Sequence, residues 1–168
     1  MNLFESERLV YRKFTLSDKD SLYQLNINPE VIKYTGDNAF NSIVEAENFI
    51  KNYDHYSKYD FGRWAVLLKD SKEFIGWCGL KYSVEKNEVD IGFRFFENQW
   101  NKGFATEAAL RCIKIGFQQY KLTKIVGRAM KRNYASVKVL EKIGLKFEKE
   151  FDFDGNEGVI YSISHVLD

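Results

Sequence analysis

One segment, residues 89–119, constrains the fold of this chain more than any other. Residues 89–95 alternate between apolar and polar types, in the order Val-Asp-Ile-Gly-Phe-Arg-Phe, and this alternation predicts a β-strand. A run of helix-forming residues then extends from about Gly103 to Gln119. A glycine at a helix start lets a ligand approach the backbone, and the unpaired N–H groups of the first turn attract an anion. We therefore predict a phosphate-binding loop between this strand and this helix.

The residues of the loop exclude two common types of phosphate-binding motif. A nucleoside-triphosphate loop closes with Gly-Lys-Ser/Thr after a longer glycine-bounded stretch, and this chain has no such sequence. A dinucleotide-binding fingerprint has three spaced glycines after the strand, whereas one glycine stands here. The ligand is therefore expected to be a phosphate compound of another kind.

Hydrophobic spacing elsewhere predicts an α/β (α+β) fold with a mixed sheet of six to seven strands and about four helices. Two stretches, Ser17–Asp20 and Ser42–Glu45, have the spacing of capping boxes, and Asn28 before Pro29 marks another helix start. The order, which begins with an opening strand, is β-αα-βββ-α-β-α-ββ, and residues 87–130 should form a parallel, right-handed crossover. Helices are predicted at residues 17–27, 42–58, 103–119 and 135–143, and strands at 63–69, 73–84, 87–95, 124–130, 146–152 and 158–166.

Composition limits the classes of function. A chain of 168 residues and 19.7 kDa is expected to be one domain, 1–168. Lys and Arg (25) nearly balance Asp and Glu (24), so neither nucleic acid nor an anionic membrane is an expected partner. No apolar signal core or bilayer-long run is present, which predicts a cytoplasmic protein. Cys78 and Cys112 are interpreted as reduced core residues, and the positions of His55 and His165 suggest no metal site.

The loop sequence resembles that of a known superfamily. Residues 100–105 read Trp-Asn-Lys-Gly-Phe-Ala. They resemble the pyrophosphate loop of the GNAT N-acetyltransferases, Gln/Arg-x-x-Gly-x-Gly/Ala, with Trp100 in place of Gln or Arg. The longer form Trp-x-Lys-Gly-x-Ala-Thr-Glu-Ala is typical of the RimJ/RimL-like branch. The departure at Trp100 therefore points to a branch within the superfamily.

The resemblance extends over nearly the whole chain. Residues 5–14 resemble the opening strand of the branch, and residues 28–34 resemble its early helix on the substrate side. Residues 133–144 match the Asn-x-x-Ser-x-x-Val-Leu-Glu-Lys-x-Gly-Phe signature, with Leu145 replacing Phe. Asp154-Gly155 and residues 159–163 resemble the closing hairpin. Four matches in the right order favour the GNAT fold.

The resemblance implies acetyl-CoA as the cosubstrate, with its pantetheine arm in the opening between two splayed parallel strands. An extended arm with two amides can pair with a strand edge, and the resemblance assigns this pairing to the backbone of Phe93 and Phe95, which also suit core packing. Asn133 is expected near the thiol end, or equally as a helix N-cap. The residues expected to wrap the pyrophosphate are Asn101, Lys102, Gly103, Phe104, Ala105 and Thr106, with Lys102 adding charge.

Acetyl transfer to an amine needs a base, because an amine with a pKa of about 8–10.4 is largely protonated at pH 7. Asp90 stands where the branch commonly has Glu-Ile-Gly, and Glu88 lies on the same strand face. Asp is shorter than Glu, so a water-mediated role is predicted; a solvated polar face is the alternative. Many acetyltransferases use a Tyr to protonate the thiolate, but Leu140 stands at that position. The branch often has a Ser where Ser136 lies, so Ser136 is the predicted proton donor to the thiolate; a residue on the helix surface is the alternative. Weaker candidates are Glu150 and Asp152 as carboxylates, and Tyr34 and Trp64 as pocket residues, although an aromatic in this chain is more often part of the core.

These features predict an acetyl-CoA-dependent N-acetyltransferase that works by direct attack in a ternary complex. Neither Cys78 nor Cys112 has a nearby His in sequence to make it a covalent carrier. The acceptor is predicted to be a protein N-terminal amine; the alternative is a small amine such as a polyamine, an amino acid or an antibiotic. Leu140 and the short Asp90 keep open a non-catalytic acyl-CoA-binding module. The protein is expected to be a monomer or homodimer.

Overall fold

The computed structural model describes residues 1–165, which form a mixed eight-stranded sheet with helices on both faces. The strand order is β1-β2-β3-β4-β5-β6-β8-β7. The strands are β1 (Phe4–Glu5), β2 (Leu9–Arg12), β3 (Arg63–Leu68), β4 (Phe74–Ser83), β5 (Glu88–Phe95), β6 (Lys124–Met130), β7 (Lys146–Phe153) and β8 (Asn156–Ser164). The helices are α1 (Lys19–Ile27), α2 (Pro29–Ile32), α3 (Ile43–Lys51), α4 (His55–Tyr59), α5 (Phe104–Gln118) and α6 (Tyr134–Lys142).

The predicted α/β class and mixed sheet are confirmed, and the described residues add one strand and two short helices to the expected number. The single helix predicted over 42–58 is two helices, α3 and α4, separated at residues 52–54. Asn and Asp compete with helical hydrogen bonds in such a stretch. The intervening Tyr53 is also held from outside, because its hydroxyl accepts a hydrogen bond from the Arg63 backbone at 2.7 Å. The last strand ends at Ser164, and its predicted end at residue 166 lies outside the described residues.

Helix starts differ in detail from the prediction. Asn28 caps α2 as expected, accepting a hydrogen bond from Glu30 N at 2.9 Å. The box predicted at Ser17–Asp20 is wrong, because the Asp18 carboxylate accepts from Thr15 N at 2.8 Å and α1 begins one residue after Asp18. At α3, Ser42 makes no side-chain cap and Glu45 accepts instead from the backbone N–H of Asn41. In both places an acidic side chain accepts a hydrogen bond from a backbone N–H earlier in the chain: Asp18 from Thr15, and Glu45 from Asn41.

The separation of β5 from β6 creates the opening that concerns function. β4 and β5 are paired along their length, from Gly76↔Phe95 to Ser83↔Glu88. β5 and β6 are parallel and, among the described residues, their paired register is limited to Asp90↔Val126. Beyond that point the two strands diverge toward their carboxyl ends. α5 connects them and packs across β4 and β5.

Two hydrophobic clusters cover the two faces of the sheet. The larger one joins α5 and α6 to the sheet and includes Ile91 and Phe95 of β5. Here Cys78 and Cys112 are fully buried free thiols, with their Sγ atoms 3.7 Å apart, which agrees with their interpretation as core residues. The smaller cluster packs α1 and α3 against the other face through residues such as Leu22 and Ile50. No helix within residues 1–165 is long and apolar enough to cross a membrane.

Candidate active site

A cavity of about 610 Å³ opens where β5 and β6 separate. Its walls come from four parts of the chain: α2 with the residues that follow it, the end of β5, the loop leading into α5, and α6. The lining includes eight of the nine predicted cofactor-binding residues, namely Phe93, Phe95, Asn101, Gly103, Phe104, Ala105, Thr106 and Asn133. The ninth, Lys102, is not among the lining residues; its Nζ lies 3.5 Å from Gln99 Oε1.

The loop at the start of α5 has the backbone shape that an anion-binding helix start requires. Gly103 is the N-cap residue and has φ of 81°, in the left-handed region that glycine adopts without strain. Asn101 is also left-handed, with φ of 61°. The first N–H groups of α5, from Phe104 onward, have no acceptor within the helix and lie at the cavity wall. The positive end of the helix dipole adds to their attraction for a phosphate.

Arg8, which immediately precedes β2, holds this loop in place. Its Nε donates to Glu107 Oε2 at 2.7 Å, and its Nη1 donates to the Lys102 carbonyl at 2.9 Å. The guanidinium also lies 4.4 Å from the ring centre of Phe104. Ser6 adds a hydrogen bond from its hydroxyl to Glu107 Oε1 at 2.7 Å. The opening strand therefore fixes the first turn of α5 and brings a cation beside Gly103.

Glu107 is the anchor of this arrangement. Burial pushes the pKa of its carboxyl upward, but hydrogen bonds from the Arg8 backbone, the Ser6 hydroxyl and the Arg8 guanidinium outweigh it, so the pKa is lowered. Sequence reasoning missed both Arg8 and Glu107 as parts of the site. Of the two, only Glu107 could have been identified from the sequence, because an acidic residue is favourable in the first turn of a helix.

The free edge of β5 is formed by alternate residues. Phe96 N donates to Ile75 O on β4 at 3.0 Å. Because backbone groups alternate between the two edges of a strand, those of Phe93 and Phe95 face the opening. The Phe95 carbonyl also accepts a hydrogen bond from Trp100 Nε1 at 2.9 Å. Trp100 thus ties the loop to the strand end, which leaves Phe93 as the less encumbered of the two predicted pairing residues.

Asn133 and Ser136 meet at the start of α6. Asn133 caps this helix, with its Oδ1 accepting from Ser136 N at 3.3 Å, and its Nδ2 donates to Ser136 Oγ at 3.0 Å. The Ser136 oxygen therefore acts as an acceptor toward Asn133, and its own proton is available for another partner. Both residues line the cavity. Leu140, one turn later, is buried in the core, so the position where many relatives have Tyr points away from the cavity.

The two predicted catalytic carboxylates lie elsewhere. Asp90 Oδ1 accepts from Arg63 Nη2 at 2.5 Å, and Glu88 is paired with Arg128. Neither carboxylate is among the residues that line the cavity. Both lie on the face of β5 opposite α5, as the strand alternation predicts. Sequence reasoning could not show their arginine partners, because Arg63 and Arg128 come from β3 and β6.

Of the weaker candidates from the sequence, one lines the cavity and three lie elsewhere in the fold. Glu150 pairs with Lys131 at 2.9 Å, and Asp152 accepts from Gly155 N at 3.2 Å, so both belong to the β7–β8 hairpin. Tyr34 lines the cavity, whereas Trp64 is fully buried in the core. Trp64 is therefore a core residue, which is the alternative expected for an aromatic here, because its strand position faces α5.

The charges that line the cavity are mostly positive. Glu30 is the acidic residue of the lining, and the basic ones are Lys33, Arg94, Lys138 and Lys142. Lys138 and Lys142 lie one turn apart on α6, a spacing that sequence reasoning could have used and did not. Among the described residues, no cluster of His, Cys, Asp and Glu is suited to a metal ion. The cavity is thus suited to an anionic ligand.

Comparison with known proteins identifies the family. Residues 8–146 match the family model for the acetyltransferase (GNAT) domain. An uncharacterized N-acetyltransferase, p20 of Bacillus licheniformis, is 34% identical over 152 residues, which are 89% of this chain and 84% of the relative. The chain belongs to the GNAT acetyltransferase family and is an N-acetyltransferase.

Two solved structures have the same fold at lower identity. The ribosomal-protein-S5-alanine acetyltransferase of Vibrio fischeri superposes with a TM-score of 0.80 at 18% identity, covering 96% of this chain and 95% of that one. The spermidine N-acetyltransferase of Vibrio cholerae, in complex with CoA and spermine, gives a TM-score of 0.79 at 21% identity, covering 94% and 95%. These likenesses support the fold. Because one relative is named for a protein substrate and the other for a polyamine, they leave the acceptor open.

Proposed function

We propose that this protein transfers an acetyl group from acetyl-CoA to a primary amine by direct attack within a ternary complex. The observation that carries the proposal is one continuous cavity that joins the Gly103 loop, the free edge of β5 and the hydroxyl of Ser136. A phosphate site, an edge for an extended amide chain and a proton donor lie in the order that an acyl-CoA thioester requires.

The cofactor is proposed to bind along this cavity in three parts. The pyrophosphate would accept hydrogen bonds from the first N–H groups of α5, with Arg8, Lys138 and Lys142 supplying positive charge. The pantetheine amides would pair with the backbone of Phe93, as an added strand pairs with a sheet edge. The thioester would then lie near Asn133 and Ser136.

The reaction forms one bond and breaks another. The neutral amine nitrogen attacks the thioester carbonyl carbon; the new C–N bond replaces the C–S bond, and CoA leaves as a thiolate. The amine loses a proton to the solvent in the cavity, and Ser136 donates its hydroxyl proton to the thiolate and regains one from solvent. No step passes through a cysteine. Burial raises the pKa of the Cys112 thiol well above its ordinary value, so this group stays protonated and inert.

We propose that the proton leaving the amine reaches Asp90 through water, with Glu88 on the same face as the second candidate. Asp90 is paired with Arg63 and Glu88 with Arg128, and side-chain exposures of 24% leave each carboxylate open to water. Glu30 is the carboxylate that lines the cavity directly and is the alternative relay. In steady-state assays, Asp90→Asn should lower kcat more than Glu30→Gln; the reverse order would transfer the role to Glu30.

The acceptor is proposed to be the amine of a peptide N-terminus, as the RimJ/RimL-like loop sequence suggests. The positive charge of the lining argues against a polyamine acceptor, because Lys33 and Arg94 would repel its second or third ammonium group. The remaining small-molecule alternative is an amine that carries a negative charge.

Thermal unfolding with and without about 1 mM acetyl-CoA is the first test, with acetate and ATP as controls. At ~100 times its dissociation constant a ligand stabilises the native state by ~2.7 kcal/mol, which for a chain of this size raises the midpoint by roughly 5–10 °C. A shift with acetyl-CoA alone, followed by amine-dependent release of free thiol, supports the enzyme. A shift without turnover on any amine would favour the non-catalytic acyl-CoA-binding module.

A further inference from the structure

Arg94 is a rigidly held cation in the wall of the cavity. It projects from β5 on the face opposite α5, and its side chain is 12% exposed. Its Nη1 donates to Asn26 Oδ1 on α1, and its guanidinium lies 5.2 Å from the ring centre of Trp77. Its Nε is buried and has no hydrogen-bond partner among residues 1–165. A guanidinium fixed on two sides in this way is ordered before any ligand arrives.

The carboxylate that pairs with Arg94 is poorly fixed by comparison. Asp37 Oδ2 accepts from Arg94 Nη2 at 2.7 Å, but the Asp37 side chain is 60% exposed. Asp37 lies in residues 33–42, which belong to no helix or strand. An ion pair with one partner this exposed contributes little to stability, because water screens it. A carboxylate from a ligand could therefore take the place of Asp37 on Arg94 at small cost.

The surroundings of Arg94 favour a ligand with a negative charge. Lys33 and Tyr34 line the same end of the cavity, and Arg132 lies 5.6 Å from the centre of the Tyr34 ring. Glu30 is the acidic residue of that wall. A preordered guanidinium whose Nη2 is held by an exchangeable carboxylate is an arrangement that can bind the planar carboxylate of a ligand through charge-assisted hydrogen bonds.

We propose that the amine acceptor carries a carboxylate close to its reactive amine, and that Arg94 binds this carboxylate in place of Asp37. The inference rests on the proposed acetyl transfer and specifies its acceptor. Two sources have this chemistry: the α-carboxylate of a free amino acid, and the acidic side chain of the first residue of a peptide. Arg94 is then a specificity-determining residue, and Asp37 occupies its site until the acceptor arrives.

The test compares acids with their amides at constant acetyl-CoA. One pair is a pool of the common L-amino acids against a pool of the same amino-acid amides, and the other is a tripeptide amide beginning with Asp against one beginning with Asn. The wild-type protein should use the acidic member of one pair with a kcat/KM at least tenfold higher, the scale of a charge-assisted hydrogen bond. The pair that responds identifies the source of the carboxylate.

Two variants should move this preference in opposite directions. Arg94→Gln should abolish the preference for the acid, so that acid and amide are used with equal kcat/KM; a merely structural loss would lower both values and keep their ratio. Asp37→Asn should lower the KM for the acid several-fold, because the competing carboxylate is gone. Arg111→Gln is the matched control, since that guanidinium contacts the Glu5 carbonyl on β1 and does not line the cavity. Equal use of acids and amides by the wild-type protein would overturn the inference.

The experiment also separates this inference from the proposed function. If no amine is acetylated, the same acids and amides are tested as ligands of the CoA-saturated protein by thermal unfolding. Stabilisation by the acid that is lost in Arg94→Gln would keep the carboxylate site and refute acetyl transfer. Acetylation of amides and acids alike would keep acetyl transfer and refute the carboxylate site. No stabilisation and no acid preference would refute the carboxylate site outright.

Discussion

The two ends of the cavity are built in different ways. The proposed phosphate end is made of the first backbone N–H groups of α5, from Phe104 onward, oriented by one left-handed glycine, Gly103. The proposed acceptor end is made of side chains, with Arg94 on β5 meeting Asn26 on α1 and Asp37 beyond α2. A backbone site needs only the local chain to take one shape, whereas a side-chain site needs several elements to converge. The first is therefore expected to be sensitive to conformation and the second to charge.

Breaking the backbone end should have the largest effect. Gly103→Val places a β-branched residue at φ of 81° beside the phosphate site, where a Cβ would lie 3.3 Å from Arg8 Nη2. We expect the dissociation constant for acetyl-CoA to rise by about a hundredfold, or ~2.7 kcal/mol, as measured by calorimetry. Gly155→Val is the matched control, because Gly155 has φ of 83° and open space around it in the β7–β8 turn. Similar affinity losses in both variants would mean that general strain, not the loop, is responsible.

Removing the proposed proton donor should have the next largest effect, on rate alone. Ser136→Ala should lower kcat by about a hundredfold, the scale of general acid catalysis, while the dissociation constant for acetyl-CoA stays the same. Ser57→Ala, on α4, is the control, since its hydroxyl donates only to the Asp54 carbonyl. An unchanged kcat would show that water protonates the thiolate. A large rise in the dissociation constant would show instead that Ser136 matters through the Asn133 cap.

Loosening the loop from the opening strand should have an intermediate effect on affinity. Arg8→Lys keeps a positive charge but loses the fork that binds Glu107 and the Lys102 carbonyl. We expect the dissociation constant for acetyl-CoA to rise about tenfold, or ~1.4 kcal/mol, by titration calorimetry. Lys58→Gln, which removes an exposed cation on α4 that is paired with Asp54, is the control and should bind normally. Equal affinity in Arg8→Lys and wild type would show that charge alone, without the fork, suffices.

The difference between the two ends also explains what the sequence could predict. The loop and the strand–helix order follow from residues close together in the chain, and the mixed α/β class was predicted from them. Arg8 and Glu107 are 99 residues apart, so no local pattern signals their contact. The same holds for Arg63 with Asp90, whose pairing turns a predicted free base into a paired one. The break between α3 and α4 was missed because Tyr53 is fixed by Arg63, a contact between distant elements.

The smallest predicted effect lies outside the cavity, at His55. It tests whether burial lowers the pKa of this imidazole in the native state. The half-buried His55 accepts a hydrogen bond at Nε2 from Tyr82 N at 3.1 Å. Burial, followed by the charges of Arg63 and Lys81, lowers the pKa of His55 below its ordinary value. The unfolded chain then takes up a proton near pH 6.5 that the native state refuses, so stability should fall as the pH drops through that region.

His55→Gln keeps an acceptor for the Tyr82 N–H and removes the titration. Denaturant unfolding at pH 7.5, 6.5 and 5.5 should therefore show a flatter pH dependence in the variant than in the wild-type protein, by less than one proton. His165→Gln, whose ring stacks on Phe117 at 5.0 Å, provides the comparison for loss of an imidazole elsewhere. Parallel curves for His55→Gln and wild type would show that His55 binds its proton equally well in both states. His55 would then contribute to stability through its hydrogen bond from Tyr82 N, independently of its own protonation.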